Sequence, residues 1–511
     1  MLIKVYGAAV QGIEAYVVTI EVNTSRGIKF FLVGLPDNAV RESHERIVSA
    51  FQNNGLKFPT NQIIINLAPA DIRKEGASYD LPLAVGIMAA SEMLPPDRLE
   101  ETMLMGELGL DGRLHPIKGV LPITIKAREE GFKRLIIPFQ NACEASAVEG
   151  IEILGATGLG QVLEYLTKGK GLEPYKSMET SFRPGTESAC LDFSDVKGQQ
   201  VGKRALEVAA AGGHNIILIG SPGSGKSMMA QRLPSILPPL TLEESLETTK
   251  IHSVAGLLRA GSPLISERPF RSPHHTISTI AMTGGGVNAQ PGEISLAHNG
   301  VLFADELPEF SRQTLESLRQ PLEDHCISIS RSKYSVCFPA SFMLVASMNP
   351  CPCGYYSDPA RQCTCTPDMI TRYMSRISGP LMDRIDIQVE VAPLQFGELS
   401  GGVRGESSSS IRERVIAARK IQTKRFSECH GVHCNSQMTV AMASVYAFPD
   451  ARGMQLLKNA MTRLNLSARA YNRILKVART IADLEGSVTV QSHHIAEAIG
   501  YRKLDRADWG R

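Results

Sequence analysis

The sequence predicts a multidomain α/β protein with a phosphate-binding parallel sheet near its middle. Three observations support this fold class. Short strand and helix patterns alternate through about the first 165 residues, a strand–loop–helix phosphate motif lies near residue 220, and the C-terminal region shows helical periodicity alone. A chain of 511 residues is too long for one core, so we expect about two to four domains.

Composition limits the classes of function that need consideration. The formal net charge is +2, with 43% hydrophobic and 21% charged residues, as in ordinary globular proteins. A nucleic-acid contact must therefore come from a local basic patch. Met1–Glu14 lacks a signal-peptide pattern, and no apolar run is long enough to cross a bilayer. We therefore expect a cytoplasmic protein without membrane partners, whose ten cysteines are reduced or bind metal.

The N-terminal region, residues 1–167, is predicted to form an α/β or α+β domain. Its strands are rich in β-branched and aromatic residues, and its helices place apolar side chains on one face. The predicted strands are Ala15–Val22, Ile28–Val33, Ile63–Ala68 and Arg134–Pro138. The predicted helices are Asp37–Asn53, Tyr79–Met93 and one that ends within Ala127–Gly131.

Three segments of this region form a recognisable set: Arg73–Ser78, Gly106–Ile117 and Gly131–Pro138. They resemble parts of the Lon-type peptidase domain. That family uses a serine nucleophile with a lysine base. Ser78 lies where the nucleophile would be, but Leu121 occupies the place of the lysine, and Lys118 sits within the preceding turn. A serine without a base is a weak nucleophile, so we expect a Lon-like fold without peptidase activity and a structural Ser78.

A complete G-x-x-x-x-G-K-[ST] phosphate-loop pattern follows the apolar strand Asn215–Gly220 and leads into a helix that starts at Met228–Leu233. Glycines in such a loop let backbone N–H groups face phosphate oxygens. Lys226 can supply charge to the outer phosphates, and Ser227 can ligate Mg²⁺. The predicted nucleotide-binding residues are Gly220, Ser221, Pro222, Gly223, Ser224, Gly225, Lys226 and Ser227.

Two further strands are predicted to end in residues that act on ATP. Val301–Glu306 ends in two carboxylates, of which Asp305 is expected to hold Mg²⁺ and its water shell and Glu306 to polarise the attacking water. Phe342–Asn349 ends in Asn349, whose amide can orient that water. The alternative for Asn349 is a turn-forming residue before a proline.

Arginines farther along the chain are candidates for contact with the nucleotide. Arg384 can serve as an arginine finger for a neighbouring subunit, and Arg469 or Arg473 can reach the nucleotide from the C-terminal helical region. The alternative for each arginine is a solvated surface charge.

Two low-complexity segments divide the chain. Residues 168–190 are a predicted linker, and Gly401–Ser410 separates the predicted nucleotide-binding core, 191–396, from a predicted helical lid, 411–511. The helices predicted in the lid are Ile411–Phe426, Met438–Tyr446, Gly453–Asn465, Ser467–Leu484 and Gln491–Ile499.

Four cysteines share one short loop, residues 351–365. As thiolates they can close a structural Zn²⁺ site, and the alternative is two pairs of free or oxidisable thiols. A second group, Cys429–Cys434, is a weaker metal candidate because two ligand pairs on so short a loop strain one tetrahedron. The four predicted zinc ligands are Cys351, Cys353, Cys363 and Cys365.

A hairpin is predicted between Glu323 and Pro339, where two β-patterned arms flank a polar and basic tip within Ile327–Val336. Arg331 and Lys333 at this tip can grip DNA phosphates, which gives salt-sensitive affinity without sequence preference. The alternative is an ordinary exposed hairpin tip.

Together these motifs resemble an AAA+ ATPase. Four longer segments narrow the resemblance: Arg268–Thr276, Ala297–Phe310, Met348–Gly354 and Arg376–Asp386. They resemble the magnesium-chelatase-like branch and, within it, the ComM/YifB family. It implies an α/β fold class: an AAA+ P-loop ATPase core with a C-terminal helical lid and an N-terminal Lon-protease-like α+β domain.

The resemblance also implies a function. A homohexameric ring would bind ATP and Mg²⁺ between subunits, with Arg384 as the finger, Arg469 as the lid sensor and the hairpin in the pore. The ring would be a helicase-like motor on single-stranded and branched DNA, promoting branch migration during natural transformation and recombination, with recombination or DNA-uptake proteins as partners. Alternatives are an ATP-dependent Lon-type protease, which needs a lysine at Leu121, and a motor subunit of a metal chelatase, which does not usually carry this N-terminal domain or cysteine loop.

Overall fold

The protein is seen here as a computed structural model. The residues it describes are 2–176, 191–259, 261–286, 289–331, 334–356, 358–359, 361–393, 405–429, 431–464 and 466–502. They form an N-terminal domain, a central domain and a C-terminal set of helices.

The N-terminal domain is organised by a mixed sheet. Its strands are β1 (Leu2–Gln11), β2 (Glu14–Ser25), β3 (Phe30–Val33), β4 (Gln62–Ala68), β5 (Thr102–Leu104), β6 (Glu107–Leu108), β7 (Leu114–His115), β8 (Arg134–Pro138) and β9 (Glu152–Ala156). Among the described residues, seven strands join in the order β3-β4-β2-β1-β5-β8-β9. β1 and β2 form the long antiparallel centre, and Gly12 turns between them with a φ of 66°.

Helices cover this sheet, and one of them is fully enclosed. They are α1 (Asn38–Arg41), α2 (Ser43–Asn53), α3 (Asp80–Ala90), α4 (Val120–Glu129), α5 (Ala142–Ala145) and α6 (Leu159–Lys168). Every residue of α3 is buried, as expected for a helix that is apolar on all sides. The helix predicted over Asp37–Asn53 is divided at Glu42, because the Asp37 carboxylate caps a separate first turn.

The four predicted N-terminal strands are confirmed, whereas β1, β5, β9 and α6 were not predicted. The centre of β1 is a Gly-Ala-Ala run without alternation, and β5 has three residues. Part of the predicted linker belongs to this domain, because Pro174 pairs with Leu154 and the Tyr175 N–H donates to the Ile153 carbonyl at 2.8 Å. Residues 177–190 lie outside the described residues.

The central domain contains a parallel sheet and two hairpins. Its strands are β10 (Ile216–Ile219), β11 (Phe270–Arg271), β12 (Gly284–Gly285), β13 (Gln290–Pro291), β14 (Val301–Ala304), β15 (Cys326–Arg331), β16 (Tyr334–Pro339), β17 (Met343–Met348) and β18 (Ile387–Glu390). β11, β14, β17, β10 and β18 lie side by side in this order, all parallel, while β12–β13 and β15–β16 are separate antiparallel pairs. The predicted strands and hairpin are confirmed.

Short helices surround this sheet. They are α7 (Gln200–Gly212), α8 (Lys226–Arg232), α9 (Leu242–Ala255), α10 (Thr279–Thr283), α11 (Glu293–Leu296), α12 (Arg312–Ser317), α13 (Pro321–Asp324), α14 (Pro367–Met374) and α15 (Gly379–Met382). The sequence analysis did not predict α9, which begins with a reciprocal capping box between Thr241 and Glu244.

The C-terminal helices share a hydrophobic core with the central sheet. They are α16 (Ser408–Arg425), α17 (Val440–Tyr446), α18 (Ala451–Arg463), α19 (Ala468–Leu484) and α20 (Ser492–Gly500). Val415 and Ile474 pack in one cluster with Leu206 of α7. Helix α16 begins three residues before its predicted start. The serine-rich segment that was predicted to separate two domains includes the N-cap of this helix, Ser407. No helix among the described residues is both long and apolar enough to span a membrane.

The N-terminal domain docks on the end of α9. The N–H of Gly119 donates to the Ser253 carbonyl at 3.1 Å, and the Glu144 carboxylate accepts from the Ser253 hydroxyl at 2.5 Å and from the Leu121 N–H at 2.8 Å. Burial raises the pKa of Glu144, which these hydrogen bonds oppose. A second contact joins the β1–β2 turn to the β15–β16 hairpin, where a Cβ on Gly12 would lie 2.5 Å from Val336.

Candidate active site

The phosphate loop connects the buried strand β10 to α8, in the predicted strand–loop–helix order. Gly223 and Gly225 have φ values of 80° and 90°, a region that favours glycine. A Cβ at Gly220 would lie 2.3 Å from the carbonyl oxygen of Val391, so the start of the loop has no space for a side chain. The backbone N–H groups at the start of α8 are thereby available to an anion.

Lys226 lies across this loop. Its Nζ donates to the carbonyl oxygens of Gly220 at 2.7 Å and Ser221 at 3.0 Å, and to Asn349 Oδ1 at 3.3 Å. Burial lowers the pKa of Lys226, and the carboxylates of Asp305 and Glu306 act in the opposite direction. The side chain of Asn349 thus lies beside the Lys226 ammonium group. The carboxylates of Asp305 and Glu306 are close enough to act on the same ammonium group.

Asp305 follows β14 and faces the phosphate loop. Its Oδ2 accepts from the Ser227 hydroxyl at 3.0 Å, and its Oδ1 accepts from the hydroxyl of Ser347 in β17. A serine hydroxyl beside a carboxylate offers the oxygen ligands that Mg²⁺ prefers. The residues present therefore fit the magnesium site predicted from the sequence, while Ser347 is an additional residue that the sequence analysis missed.

The backbone N–H of Glu306 is hydrogen-bonded, whereas its side chain is largely exposed. Its φ is 53°, and its N–H donates to Ser347 Oγ at 3.2 Å. The side chain is 56% exposed, and its Oε2 lies 3.9 Å from Nδ1 of His275. His275 belongs to a motif that carried the family resemblance, but its position beside Glu306 was not predicted.

Among the described hydrogen bonds and ion pairs, neither Arg384 nor Arg469 contacts the phosphate loop. Arg384 pairs with Glu323 and donates to the Pro380 carbonyl at 2.6 Å. Arg469 is 67% exposed and pairs at 3.1 Å with Asp383, the neighbour of Arg384 in the chain. Arg473, the other lid candidate, lies 3.7 Å from Asp386 and donates to the Ile385 carbonyl. Burial lowers the pKa of Arg473.

The four cysteines of the loop after Asn349 converge. The Sγ of Cys351 lies 3.3 Å from that of Cys353 and 3.7 Å from that of Cys363, and the Cys353 and Cys363 sulfurs are 3.5 Å apart. All four sulfurs lie within 4.8 Å of one another. A tetrahedral site with Zn–S bonds of about 2.3 Å requires sulfur separations of about 3.8 Å, so the cluster fits Zn²⁺.

One sulfur of this cluster is favoured as a thiolate. Burial alone would raise the pKa of Cys353, but backbone N–H groups of Tyr355 and Thr364 and neighbouring thiols bring it down to about 6. In the second predicted metal group, His430 lies outside the described residues, and the Cys434 sulfur lies 3.2 Å from the Ser436 hydroxyl.

The cysteine loop also contacts the phosphate loop. Gly354 has a φ of 85°, and a Cβ at this position would lie 2.7 Å from Cδ of Pro222 and 3.9 Å from Cγ of Asn349. The shape of the cysteine loop therefore limits the positions open to Pro222. The sequence analysis assigned Pro222 to the phosphate loop but did not predict this contact.

Of the two predicted DNA-contacting residues, Arg331 ends β15 and is opposite Tyr334 in the strand register. Lys333 lies outside the described residues. The structure thus confirms the hairpin, and the roles of the two basic side chains stay predictions.

The region that resembles Lon-type peptidases has no lysine at the expected place. Leu121 is fully buried in the first turn of α4. Ser78 and Lys118 line one cavity of about 700 Å³, but the Lys118 side chain lies along Gly256 of the central domain, whose Cβ would be 2.7 Å from its Cε.

Comparisons with known proteins match nearly the whole chain. The profile described as "Magnesium chelatase, subunit ChlI" matches residues 192–399, "Subunit ChlI of Mg-chelatase" matches residues 20–141, and "Magnesium chelatase, subunit ChlI C-terminal" matches residues 405–502. Similar proteins include competence protein ComM of Haemophilus influenzae and protein YifB of Escherichia coli.

The ComM protein is 44% identical over 509 residues, and YifB is 42% identical over 504 residues. Each alignment covers 98% of this chain and 97% of the relative. Lon protease 2 of Bacillus subtilis is 32% identical over 123 residues, which are 24% of this chain and 22% of that protease.

The Gly354 contact leads to a prediction about nucleotide binding. Gly354→Ala forces the cysteine loop or Pro222 to move, so we expect affinity for ATP to fall about tenfold, or ~1.4 kcal/mol. Binding of a fluorescent ATP analogue measures this. The control is Gly431→Ala, because Gly431 has a φ of 76° but no atom of the described residues lies within 4 Å of a Cβ there. Equal affinity in the two variants would contradict the prediction.

Proposed function

Since the chain belongs to the ComM/YifB family of magnesium-chelatase-like AAA+ ATPases, we propose that it is an ATP-hydrolysing hexameric motor that acts on branched DNA. The observation that carries the ATPase part is the convergence of Lys226, Ser227, Asp305 and Asn349 at one edge of the parallel sheet. The likeness to a competence protein over almost the full chain supports a role in DNA uptake.

In the proposed reaction, Lys226 exchanges its carbonyl partners for phosphate oxygens of ATP. Ser227 and Asp305 would hold Mg²⁺, which supplies charge neutralisation at the outer phosphates. Glu306 polarises the attacking water, and Asn349, already beside the Lys226 ammonium, orients that water. The water oxygen bonds to the γ-phosphorus while the bond from that phosphorus to the β–γ bridging oxygen breaks, and the proton of the water passes to the phosphate product or to solvent. ADP and inorganic phosphate then leave.

Arg384 and Arg469 are proposed to act on the nucleotide of a neighbouring subunit. Both lie beside Asp383 and neither contacts the phosphate loop of its own chain among the described hydrogen bonds and ion pairs. A ring of six subunits would bring this edge to the next nucleotide site. The Glu323 carboxylate that pairs with Arg384 would be replaced by the γ-phosphate.

DNA is proposed to pass the tips of the β15–β16 hairpins, where Arg331 and Lys333 would contact phosphates. A net charge of +2 makes a local contact of this kind more suitable than a broad basic surface. ATP-driven movement along single-stranded and branched DNA would promote branch migration and extend heteroduplex during natural transformation and recombination, together with recombination or DNA-uptake proteins.

The N-terminal domain is proposed to be Lon-like in fold and inactive as a peptidase. The local likeness to a Lon protease supports the fold, and the buried Leu121 at the place of the expected lysine argues against a base for Ser78. ATP-dependent degradation of casein would favour the protease alternative. Stable association with a large porphyrin-binding subunit would favour the chelatase alternative.

The cysteine cluster is proposed to hold one structural Zn²⁺ per subunit. Its four sulfurs are close enough for tetrahedral coordination, and the loop contains few groups that form a core of its own. Through Gly354 the bound metal would fix the neighbourhood of Pro222. A closed four-thiolate site has a structural role, because it leaves no position open for water.

The motor proposal predicts the behaviour of Glu306→Gln. The variant should bind ATP normally and stay on forked DNA, while hydrolysis falls about 100-fold or more because the water loses its polarising base. Phosphate release and DNA-binding assays measure the two effects. The control on the same loop is Glu309→Gln, since Glu309 pairs with Arg376 at 2.8 Å. Normal hydrolysis by Glu306→Gln would remove Glu306 from the mechanism.

The DNA part is tested in the same experiment. Wild-type protein with ATP should displace strands from forked and four-way DNA, and Lys226→Ala should not. ATP hydrolysis without any DNA binding or strand displacement would contradict the DNA motor and leave the ATPase assignment intact.

Action in trans predicts complementation between two inactive variants. Arg384→Ala should bind ATP but hydrolyse it at least about tenfold more slowly, because a finger contributes only to the transition state. Rings that mix Arg384→Ala with Lys226→Ala should regain part of the activity, since some interfaces pair an intact loop with an intact finger. No recovery in rings shown to be mixed would refute the trans role.

The zinc proposal predicts the metal content of the purified protein. Protein prepared without chelator should contain one Zn²⁺ per subunit, and Cys353→Ser should lower this content because three thiolates hold the ion less tightly. Elemental analysis provides the measurement. Cys143→Ser, a cysteine outside the cluster, is the control. Fully folded, active wild-type protein with little bound metal would disprove the zinc site.

A further inference from the structure

The sheet of the N-terminal domain leaves part of one inner strand open. β1 pairs with β2 along all ten of its residues. On its other side, within the described part of the chain, β1 pairs with β5 at Tyr6 only. Farther along, the Met105 sulfur lies beside the strand and accepts the Ala8 N–H at 3.2 Å. The last residues of β1, Ala9–Gln11, therefore have an unpaired strand edge.

Two backbone groups of Val10 lie on this open edge. In an antiparallel pair, residues alternate between those that exchange both hydrogen bonds with the partner strand and those that direct them away from it. Ala8 directs its N–H away from β2, towards Met105. Val10, two residues on, therefore directs its N–H and its carbonyl to the same side. Among the described residues, no hydrogen bond outside the β1–β2 pair uses either group, so both are available to a ligand.

The open edge forms part of the wall of a cavity of about 700 Å³, a size typical of ligand sites. Ala8–Gln11 and the segment Gly76–Ser78 both line this cavity. The side chains of alanine, glycine and serine are small, and no atom of the described residues lies within 4 Å of a Cβ at Gly76. A second backbone can therefore approach β1 closely, as a strand added to a sheet edge must.

The central domain completes this cavity. Val254 of α9, Gln290 of β13 and Val336 of β16 also line it. At the end of the open edge, the β1–β2 turn abuts the hairpin, because a Cβ on Gly12 would lie 2.5 Å from Val336. Ligand sites are common where two domains meet, and a ligand in this cavity would touch both of them.

The walls of the cavity favour an apolar ligand without net charge. Val10 and Ile117 pack against the hydrophobic cluster that contains Ile123, whereas Ala9 belongs to the cluster that contains Tyr79. Because successive side chains of a strand point to opposite faces, a strand beside β1 would present its side chains to these two clusters in turn. The charged residues of the lining balance, with three of each sign: Arg41, Arg73, Lys118, Asp71, Glu75 and Glu107.

From these observations we propose that the cavity binds an extended peptide segment of a partner protein, without net charge and apolar at alternate positions, as a strand added to β1. Hydrogen bonds to the N–H and carbonyl of Val10 would hold the peptide backbone. The four residues Ala8–Gln11 give an edge of about 14 Å at about 3.4 Å per residue. No residue that lines the cavity belongs to the proposed ATP site, so the peptide site does not depend on the proposed ATPase function.

The first test changes the backbone of the peptide. Random short peptides displayed on phage are selected on the full-length protein without nucleotide, and we expect apolar residues at alternate positions. One selected sequence is synthesised with capped ends and a fluorescein label, and fluorescence anisotropy measures its affinity. Two N-methylated forms, one at the odd amides and one at the even amides, keep every side chain. The form methylated on the edge that faces β1 should bind at least about tenfold more weakly, because it cannot donate to the Val10 carbonyl. The other form should keep more of its affinity, and equal affinities of the two would overturn strand addition.

The second test locates the site on the protein. Ser78→Trp fills space in the cavity and should abolish binding of the unmethylated peptide. The control is Ser25→Trp, the same change at an exposed position outside the cavity, and its affinity should stay within about twofold of the wild-type value. Amide hydrogen exchange reports the contact in the unaltered protein, because the Val10 N–H should exchange more slowly when the peptide is bound.

Three results would overturn the peptide site. They are equal affinity of the selected peptide for Ser78→Trp and wild type, unchanged exchange of the Val10 N–H, and a selection that enriches no peptide on wild type over Ser78→Trp. Thermal unfolding shows whether Ser78→Trp is folded, and if it is not, the exchange of Val10 in the wild-type protein decides. All of these measurements are made without ATP, so normal hydrolysis by Glu306→Gln would remove the catalytic assignment and leave the peptide site standing.

Discussion

The parallel register of three adjacent strands is the constraint on which the site depends. β10 pairs with β17 so that Ile219 is opposite Met348, and β17 pairs in the same way with β14. All residues of these three strands are buried, and a slip by one residue would turn every side chain to the other face. Because the register holds, Asp305 and Asn349 leave the sheet beside the phosphate loop.

The same sheet fixes the segment that carries Arg384. Asn215, just before β10, accepts the Leu344 N–H at 2.8 Å with Oδ1 and donates from Nδ2 to the Arg384 carbonyl at 2.9 Å. Its own carbonyl accepts the N–H of Asp386 at 3.0 Å. Burial would raise the pKa of Asp386, but His214 and nearby cations lower it to about 2. Lys226 and Arg384 are therefore positioned from opposite ends of one short strand.

Local sequence patterns predicted most of the elements and the residues that act at strand ends. The phosphate loop, Asp305 and Asn349 could be identified because their roles depend on the strand they follow. Ser347, His275 and the contact between Gly354 and Pro222 could not, because they arise where loops from different strands meet. The sulfurs of Cys351, Cys353 and Cys363 lie 3.3–3.7 Å apart. Their spacing along the sequence suggested this cluster but could not show that the sulfurs meet.

The turn that resembles the base-carrying segment of Lon-type peptidases serves here to join domains. A peptidase needs a lysine that faces Ser78, but the backbone of this turn donates to α9 through Gly119 and to Glu144 through Leu121. α9 follows the phosphate-loop helix, and the N-terminal domain also touches the β15–β16 hairpin at Gly12. A displacement of the nucleotide-binding helices relative to that hairpin must therefore be accommodated at the N-terminal domain, which contacts both.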